Sequence, residues 1–597
     1  MADLREQWER MAETVRADRL SVIVPAGQGE AVRGVFAGHG LTAEVVETNS
    51  AKYPARGAAL RAAFDATTGA YVLLLGGDVV ANAEQTPEFF AVLKQKGADV
   101  VVGSKRHARS SVRYPWHRRA LSAVYYALVR LLIGVRVSDT QTGVRLFRRE
   151  TLGYALDRML VKEHAFDLEI LAIAASRGAK IAEAPVVVQG GGSFGALPQK
   201  SFAKAVALDT LAVFYRLKVL RYYEKCLVPN RLDHDPLVSV VIACPNDSWM
   251  LRECLAGLGR QTYANWEVIV LPDGPIDQLT IDDFQKDQLT IDNCRGDQLT
   301  IDDCQRVHNR AIRVLPTGKV RPAEKRNLGI REAKGEIIAF IDDDAYPDEH
   351  WLEYAVKYFG DPDIGGVGGP GVTPPGDKWL AHVGGRVYDN FLVSGNYRYR
   401  YKAGGVRMDV EDYPSCNLFV RKDILEKIGG YRTDFWPGED TLLCKDIIDN
   451  WKRIIYEPWV VVYHHRRALF MPHLRQLGRY GFHRGYFCKR FPSNSLRASY
   501  FVPTAFIGYL LALAAFAGVL TACGLWRGNW GVAFAGAAVP AVAYAVSVLA
   551  TSFSLKPHVW LLTALGVLAS HVVYGIRFWQ GLCAKKAPCE YIGKDHV

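Results

Sequence analysis

Apolar positions in this chain follow three regimes. From residue 20 to about 225, and again from 237 to about 497, short β-branched runs alternate with stretches of helical period, the pattern of α/β domains built on a mainly parallel sheet. The two stretches open alike, with Ser21-Val-Ile-Val-Pro25 and Ser239-Val-Val-Ile-Ala-Cys-Pro245 each stopped by a proline. Later in each, an apolar run follows a glycine and ends in glycines or acids: Gly69-Ala-Tyr-Val-Leu-Leu-Leu-Gly-Gly-Asp78 and Gly335-Glu-Ile-Ile-Ala-Phe-Ile-Asp-Asp-Asp344. This parallel predicts two copies of one fold, joined by a linker at 226–236, where Pro, Asn and an Asp-His-Asp triplet interrupt the periodicity. In the third regime, Phe501 to Trp526, Gly528 to Leu555 and Pro557 to Ile576 contain no Asp, Glu, Lys or Arg. A bilayer core needs about 20 apolar residues per helix, so residues 498–597 read as two or three transmembrane helices, the third run being the one that can instead lie at the interface.

Charge sharpens this division. The chain has 597 residues, too many for one core, and its 49% hydrophobic content excludes a disordered class. Its 73 Lys+Arg against 62 Asp+Glu give +11, yet no acid lies between Glu457 and Glu590, where thirteen bases fall. The positive excess therefore sits beside the apolar runs. That placement favours a membrane over nucleic acid as partner, and the bases clustered before Phe501 predict catalytic domains on the cytoplasmic face of an inner, multi-pass membrane protein. Met1 to Leu20 is charged and lacks the apolar core of a signal peptide. The eleven cysteines, all from Cys226 onward, form no CxxC pair and no zinc spacing, as expected of a reducing compartment. Three near copies of a decapeptide fill 277–306 and read as a surface insertion, without the glycine-containing pattern of a calcium loop.

Candidate chemistry centres on Asp342-Asp343-Asp344. Carboxylates at the carboxyl end of a parallel strand face the crevice where α/β sheets bind ligands, and acids two residues apart suit Mg²⁺ or Mn²⁺ held against a diphosphate.

From Val238 to about Arg490 the chain resembles the family 2 glycosyltransferases, of GT-A fold, in particular those of bacterial exopolysaccharide type. The residues that carry this are Val238-Ser-Val-Val-Ile-Ala-Cys-Pro-Asn246, Glu267-Val-Ile-Val-Leu-Pro-Asp-Gly274, Lys325-Arg-Asn-Leu-Gly329, Phe340-Ile-Asp-Asp-Asp-Ala-Tyr-Pro347, Asn417-Leu-Phe-Val-Arg421, Gly429-Gly-Tyr431 and Gly438-Glu-Asp440. The resemblance implies transfer of a sugar from a nucleotide-diphosphate donor with inversion. Asp273 matches the acid that contacts the nucleotide, Asp342 and Asp344 the metal–diphosphate motif, and Asp440 the general base, with Glu439 positioning it. Lys325, Asn327 and Asn417 join Asp273 and Asp342 as candidate substrate-binding residues. In Tyr463-His-His-Arg-Arg467 either histidine can supply a nitrogen ligand, His464 being the one assigned, and Arg466 can meet the diphosphate. The chemistry needs these types: a cation to stabilise the leaving diphosphate, and a carboxylate on the opposite face of the sugar to take the acceptor proton.

Residues 20 to 190 resemble another branch of the family, the polyprenyl or dolichyl phosphate sugar synthases, through Val100-Val-Val-Gly-Ser-Lys105, Asp139-Thr-Gln-Thr-Gly-Val-Arg-Leu-Phe-Arg-Arg-Glu150, Phe166-Asp-Leu-Glu169 and Ala184-Pro-Val186. Two departures point to a degenerate copy. Gly76-Gly77-Asp78 replaces the paired acids, and the segment from Pro25 to Glu44 is too short for the nucleotide-contacting strand and its acid. The expectation is a degenerate GT-A domain at 1–225, a linker, a catalytic GT-A domain at 237–497 and a membrane region at 498–597. Its activity is expected to be sugar transfer to a lipid-linked or surface glycan. The alternatives are a polyprenyl-phosphate sugar synthase acting through the first domain, and a non-catalytic scaffold that binds nucleotide-sugar for a partner transferase.

Overall fold

The computed structural model describes residues 6–13, 19–48, 56–76, 79–112, 116–135, 137–140, 142–161, 165–188, 200–226, 228–229, 232, 234–276 and 312–585. The decapeptide repeat at 277–306 and Asp78 lie outside them. The chain divides into two compact units, Met1–Val228 and Pro229–Val597.

The main sheet of the first unit has six strands, β1 (Leu20–Pro25), β2 (Glu44–Thr48), β3 (Tyr71–Leu75), β4 (Val100–Ser104), β5 (Val144–Arg148) and β6 (Ile181–Pro185), in the order β2-β1-β3-β5-β4-β6. Only β5 runs against its neighbours. Tyr71 to Leu75 and Val100 to Ser104 are buried throughout, as strands covered on both faces must be.

The second unit has β7 (Val238–Ala243), β8 (Trp266–Leu271), β9 (Ile312–Val314), β10 (Ile337–Asp342), β11 (Ala345–Pro347), β12 (Ile364–Gly368), β13 (Gly371–Val372), β14 (Met408–Val410), β15 (Asn417–Arg421), β16 (Arg453–Tyr456) and β17 (Val462–His464). Its main sheet runs β9-β8-β7-β10-β15-β12-β16-β14, with a small sheet β11-β17-β13 beside it. Without the edge strands β9 and β14, the main order repeats that of the first unit strand for strand, reversed member included.

The duplication extends to single atoms. Ser21 Oγ donates to Glu44 Oε2 at 2.5 Å and accepts from Gly69 N at 2.8 Å; Ser239 Oγ donates to Glu267 Oε1 at 2.6 Å and accepts from Gly335 N at 2.8 Å. Each clasp ties the first strand to the second and to the entry of the third. A Cβ at Gly69 or Gly335 would stand 2.7 Å from the serine backbone nitrogen, so only glycine fits where the sequence places one.

The clasp also corrects one expectation. Ser21 pairs with Glu44 in register as Ser239 pairs with Glu267, so β2 is the counterpart of β8 and the strand judged missing is present. It starts at Glu44 itself. Counting on from the clasp, the counterpart of Asp273 is Ser50, so the strand is kept and the acid is not.

The site depends on helices α1 (Pro322–Glu332), α2 (Trp379–Asp389), α3 (Glu439–Asp449) and α4 (Met471–Arg490), followed by α5 (Ala498–Ala522), α6 (Asn529–Thr551) and α7 (Pro557–Cys583). The last three, of 25, 23 and 27 residues, are long and apolar enough to cross a membrane. Helix α4 meets α7 backbone to backbone through glycines. A Cβ at Gly485 would lie 2.0 Å from Phe578 O, and one at Gly581 would lie 1.9 Å from Phe482 O. Close approach of this kind gains dispersion contact along the whole crossing, and any side chain would forbid it. The basic helix of the α/β part is thereby fixed to the last apolar helix.

Gly485→Ala should lower the midpoint of thermal unfolding of the detergent-solubilised protein, by the equivalent of about 1–3 kcal/mol for a methyl with no room. Gly508→Ala, on α5 with no atom within 4 Å of its Cβ, should leave the midpoint in place. Equal effects of the two would contradict close packing of α4 on α7.

Candidate functional site

The carboxyl ends of β7, β8 and β10 open on a cavity of ≈ 1060 Å³ lined by Cys244, Asp273 and Asp342 to Asp344. Helix α1 supplies Lys325 and Arg326, the first turn of α3 supplies Glu439 and Asp440, and the end of β17 supplies His464 and Arg466. The crevice forms where strand ends and helix N-termini converge.

Buried Lys325 donates to Asp273 Oδ1 and to Cys244 O, both at 2.5 Å, which fixes the acid after β8 against the end of β7. Arg326, whose side chain is 8% exposed, reaches three carboxylates: Asp342 Oδ1 at 2.8 Å, Glu439 Oε1 at 3.4 Å and Asp440 Oδ1 at 3.8 Å. Asp440 also accepts a short hydrogen bond from Ser415 Oγ, which lies 2.6 Å from Tyr431 Oη. Burial raises the carboxyl pKa of both Glu439 and Asp440; Arg326 opposes the rise at each, and Ser415 opposes it at Asp440. Asp343 is pushed up to about 7 by burial and by its neighbours Asp344 and Asp342.

On the other wall, Asp342, Asp344 and His464 bring ligand atoms within 4.8 Å of one another. His464 Nε2 lies 3.0 Å from Asp344 Oδ1. Burial disfavours both charges, yet their mutual attraction outweighs it, holding the histidine pKa up and the aspartate pKa down. Two carboxylate oxygens and one imidazole nitrogen form a donor set that suits Mn²⁺ or Mg²⁺. The structure also separates the two histidines. His465 lies with Nδ1 2.6 Å from Asp377 and Nε2 2.8 Å from Glu253, both ring nitrogens thus committed to carboxylates. Those partners outweigh burial and lift its pKa to about 9.

The other sequence-derived candidates fall in different places. Arg466 lines the cavity, donates to Gly371 O and lies 3.2 Å from His464 Nδ1. Asn327 holds the loop after Gly430, accepting from Tyr431 N at 2.7 Å and donating to Tyr431 O at 2.8 Å. Asn417 is fully buried, donating to Gly369 O and Val460 O and accepting from Trp351 Nε1 at 2.7 Å, so its amide fastens strands beneath the cavity and does not face it. Sequence reasoning missed Arg326 and Ser415, though both stand next to singled-out residues or within two positions of one.

In the first unit the same register replaces most of this chemistry. The shared alignment of Gly69 with Gly335 places Gly76 at Asp342, Ala59 at Lys325 and Leu60 at Arg326. Asp167, the second residue of the helix Phe166–Ser176, stands where Asp440 stands on α3, but its partner at 2.7 Å is Arg145 of β5.

Residues 46–153 and 239–429, together half of the chain, match the model of glycosyl transferase family 2. A pre-mycofactocin glycosyltransferase of Mycobacterium tuberculosis is 28% identical over 174 residues, 27% of this chain and 33% of that one. A dolichyl-phosphate beta-glucosyltransferase of Trichomonas vaginalis is 26% identical over 206 residues, 32% of this chain and 61% of that one. The matches span between 25% and 62% of the length of such curated relatives. A mannosyltransferase of Pyrobaculum calidifontis, solved with GDP-Man and Mn²⁺, is 20% identical and aligns over 65% of this chain and 99% of its own at a TM-score of 0.38. By the extent of the family match, and with the duplicated α/β sheets that carry it, the chain belongs to glycosyl transferase family 2.

Proposed function

We propose that this protein is an inverting, metal-dependent glycosyltransferase whose second unit moves a sugar from a nucleotide-diphosphate donor to a lipid-linked or glycan acceptor at the cytoplasmic face of an inner membrane. The observation that carries this reading is the grouping around Arg326. It draws Asp342 of the candidate metal cluster and Asp440 of α3 to opposite ends of one guanidinium inside one cavity. Asp273 with Lys325 would seat the nucleotide, and Arg466 would meet the diphosphate. A Mg²⁺ or Mn²⁺ held by Asp342, Asp344 and His464 would supply Lewis-acid stabilisation of the leaving group.

Asp440 then acts as general base, with Glu439 beside it. As the acceptor oxygen bonds to the anomeric carbon, its proton passes to Asp440 Oδ. The bond from that carbon to the diphosphate breaks, and its electron pair leaves with the nucleoside diphosphate. Attack from the face opposite the leaving group inverts the centre. Burial, by raising the Asp440 pKa, makes it a stronger base than an exposed aspartate, while Arg326 and Ser415 oppose that rise.

The domain reading is retained on the same terms: a degenerate copy at 1–225, a linker, the catalytic domain at 237–497 and a membrane region from 498. Gly76, Ala59 and Leu60 leave the first unit without counterparts of Asp342, Lys325 and Arg326, so transfer through that unit is not the favoured reading. A lipid acceptor draws support from the Trichomonas relative, named for dolichyl phosphate, and from α5–α7 beside the cavity.

Asp342→Asn and Asp344→Asn should each abolish Mn²⁺-dependent binding of nucleotide-sugar, read by calorimetry; undiminished binding in either would remove that residue from the metal set. Asp440→Asn should keep donor affinity and lower kcat by about 10²-fold or more, the scale of general-base loss. The reacting form has Asp440 deprotonated, and its pKa is raised, so kcat/KM should fall with acid at a midpoint above the ordinary carboxylate value of about 4. Arg326→Met, which removes the cation opposing that rise, should move the midpoint to higher pH. A profile flat from pH 5 to 8 in both proteins would contradict a carboxylate base.

A further inference from the structure

We infer that the second unit also carries a binding site for the phosphate or diphosphate head of a lipid-linked acceptor, built from Arg400, Arg484 and Asp412 in the part of the cavity that α4, α5 and α7 line. The inference rests on the glycosyltransferase reading and names the acceptor class for it.

Asp412 is buried between two arginines. It accepts a short bond from Arg484 Nη2 and lies 3.7 Å from Arg400 Nη2. Burial would raise its pKa, but the two guanidinium groups outweigh that and hold it at about 2. The carboxylate therefore stays ionised at working pH, and the group of three has one positive charge in excess.

That excess comes with unmade hydrogen bonds. Arg400 Nε and Arg484 Nη1 are buried and have no hydrogen-bond partner among the described residues, while both side chains line the cavity. A buried N–H with nothing to donate to costs free energy that a bound acceptor atom recovers, and a guanidinium pair with surplus charge matches the oxygens of a phosphate. Both planes are held by rings: Arg400 lies over Tyr397 at 4.6 Å and Arg484 over Tyr500 at 5.2 Å. The two guanidinium planes are thus preorganised.

Position assigns the anion to the acceptor side. Thr441 Oγ1 donates to Asp412 Oδ1 at 3.1 Å, and Thr441 follows the proposed base Asp440 directly on α3. The anion would be held next to the group that takes the acceptor proton. On the far side the same cavity is lined by Val502, Pro503 and Phe506 of α5 and Tyr574 of α7, from helices able to cross a membrane. A soluble anion has no use for an apolar wall of that kind. An isoprenoid or acyl chain ending in a phosphate uses both halves.

The test is binding of farnesyl phosphate, a short polyisoprenyl monophosphate, to the detergent-solubilised full chain, with farnesol and inorganic pyrophosphate as comparison arms. Farnesyl phosphate should bind at least ten-fold more tightly than either, since farnesol lacks the head and pyrophosphate the tail. Arg400→Lys and Arg484→Lys keep the charge beside Asp412 and remove the planar fork; each should weaken farnesyl phosphate about ten-fold while nucleoside diphosphate with Mn²⁺ binds as before. Should either variant fail to fold, a diazirine-bearing polyisoprenyl phosphate on the unmodified protein should label peptides around Arg400, from Arg484 to Phe506 or around Tyr574. Farnesol as tight as farnesyl phosphate, pyrophosphate as tight as farnesyl phosphate, folded lysine variants of unchanged affinity, or labelling elsewhere would each overturn the site. Farnesyl phosphate binding without any nucleotide binding would instead leave the site standing and refute the glycosyltransferase reading.

Discussion

The second unit depends on one buried cation. Arg326 occupies the centre of a crevice into which the fold directs the acids of two separate elements, the end of β10 and the start of α3. Without a cation there, Asp342, Glu439 and Asp440 would repel one another in a poorly hydrated space. With it, carboxylates from two separate elements sit in one cavity, and the helix carrying the arginine also carries Lys325 to pin Asp273. Structure and proposed chemistry thus share one constraint: the charges of the site must balance around α1.

The first unit lacks the same grouping of charges. It shares the sheet order, the serine–glutamate–glycine clasp and an aspartate at the Asp440 position, whereas Leu60 stands at the Arg326 position and Gly76 at the Asp342 position. Cation and acid are absent together. The aspartate that remains, Asp167, is neutralised from another direction by Arg145. Features that hold the strands together are present in both copies, and the charges grouped around Arg326 are present in one.

Much of this was legible in the sequence because it is written locally. A glycine, an apolar run and three aspartates specify a strand and the acids at its end; Gly438-Glu-Asp440 specifies the first turn of a helix; three uncharged stretches specify the apolar helices. What was not legible is pairing at a distance. Arg326 meets Glu439 across 113 residues and Arg484 meets Asp412 across 72, and no motif records which base answers which acid. Asn417 was singled out with its motif, yet its amide is spent on backbone carbonyls, since a sequence pattern does not tell which side of a strand faces the cavity. The strand Glu44–Thr48 was missed because its opening glutamate was counted as the boundary of the segment and not as part of the clasp.

The central claim is that one of the two copies, the second, holds the nucleotide donor. The stoichiometry of nucleoside diphosphate bound per chain in the presence of Mn²⁺, measured by calorimetry on the full-length solubilised protein, tests it most directly. The account predicts one equivalent for whichever of the uridine, guanosine or thymidine diphosphates binds. Two equivalents would show that the first unit has kept a working site, and none for any of the three would contradict the assignment of the crevice around Arg326.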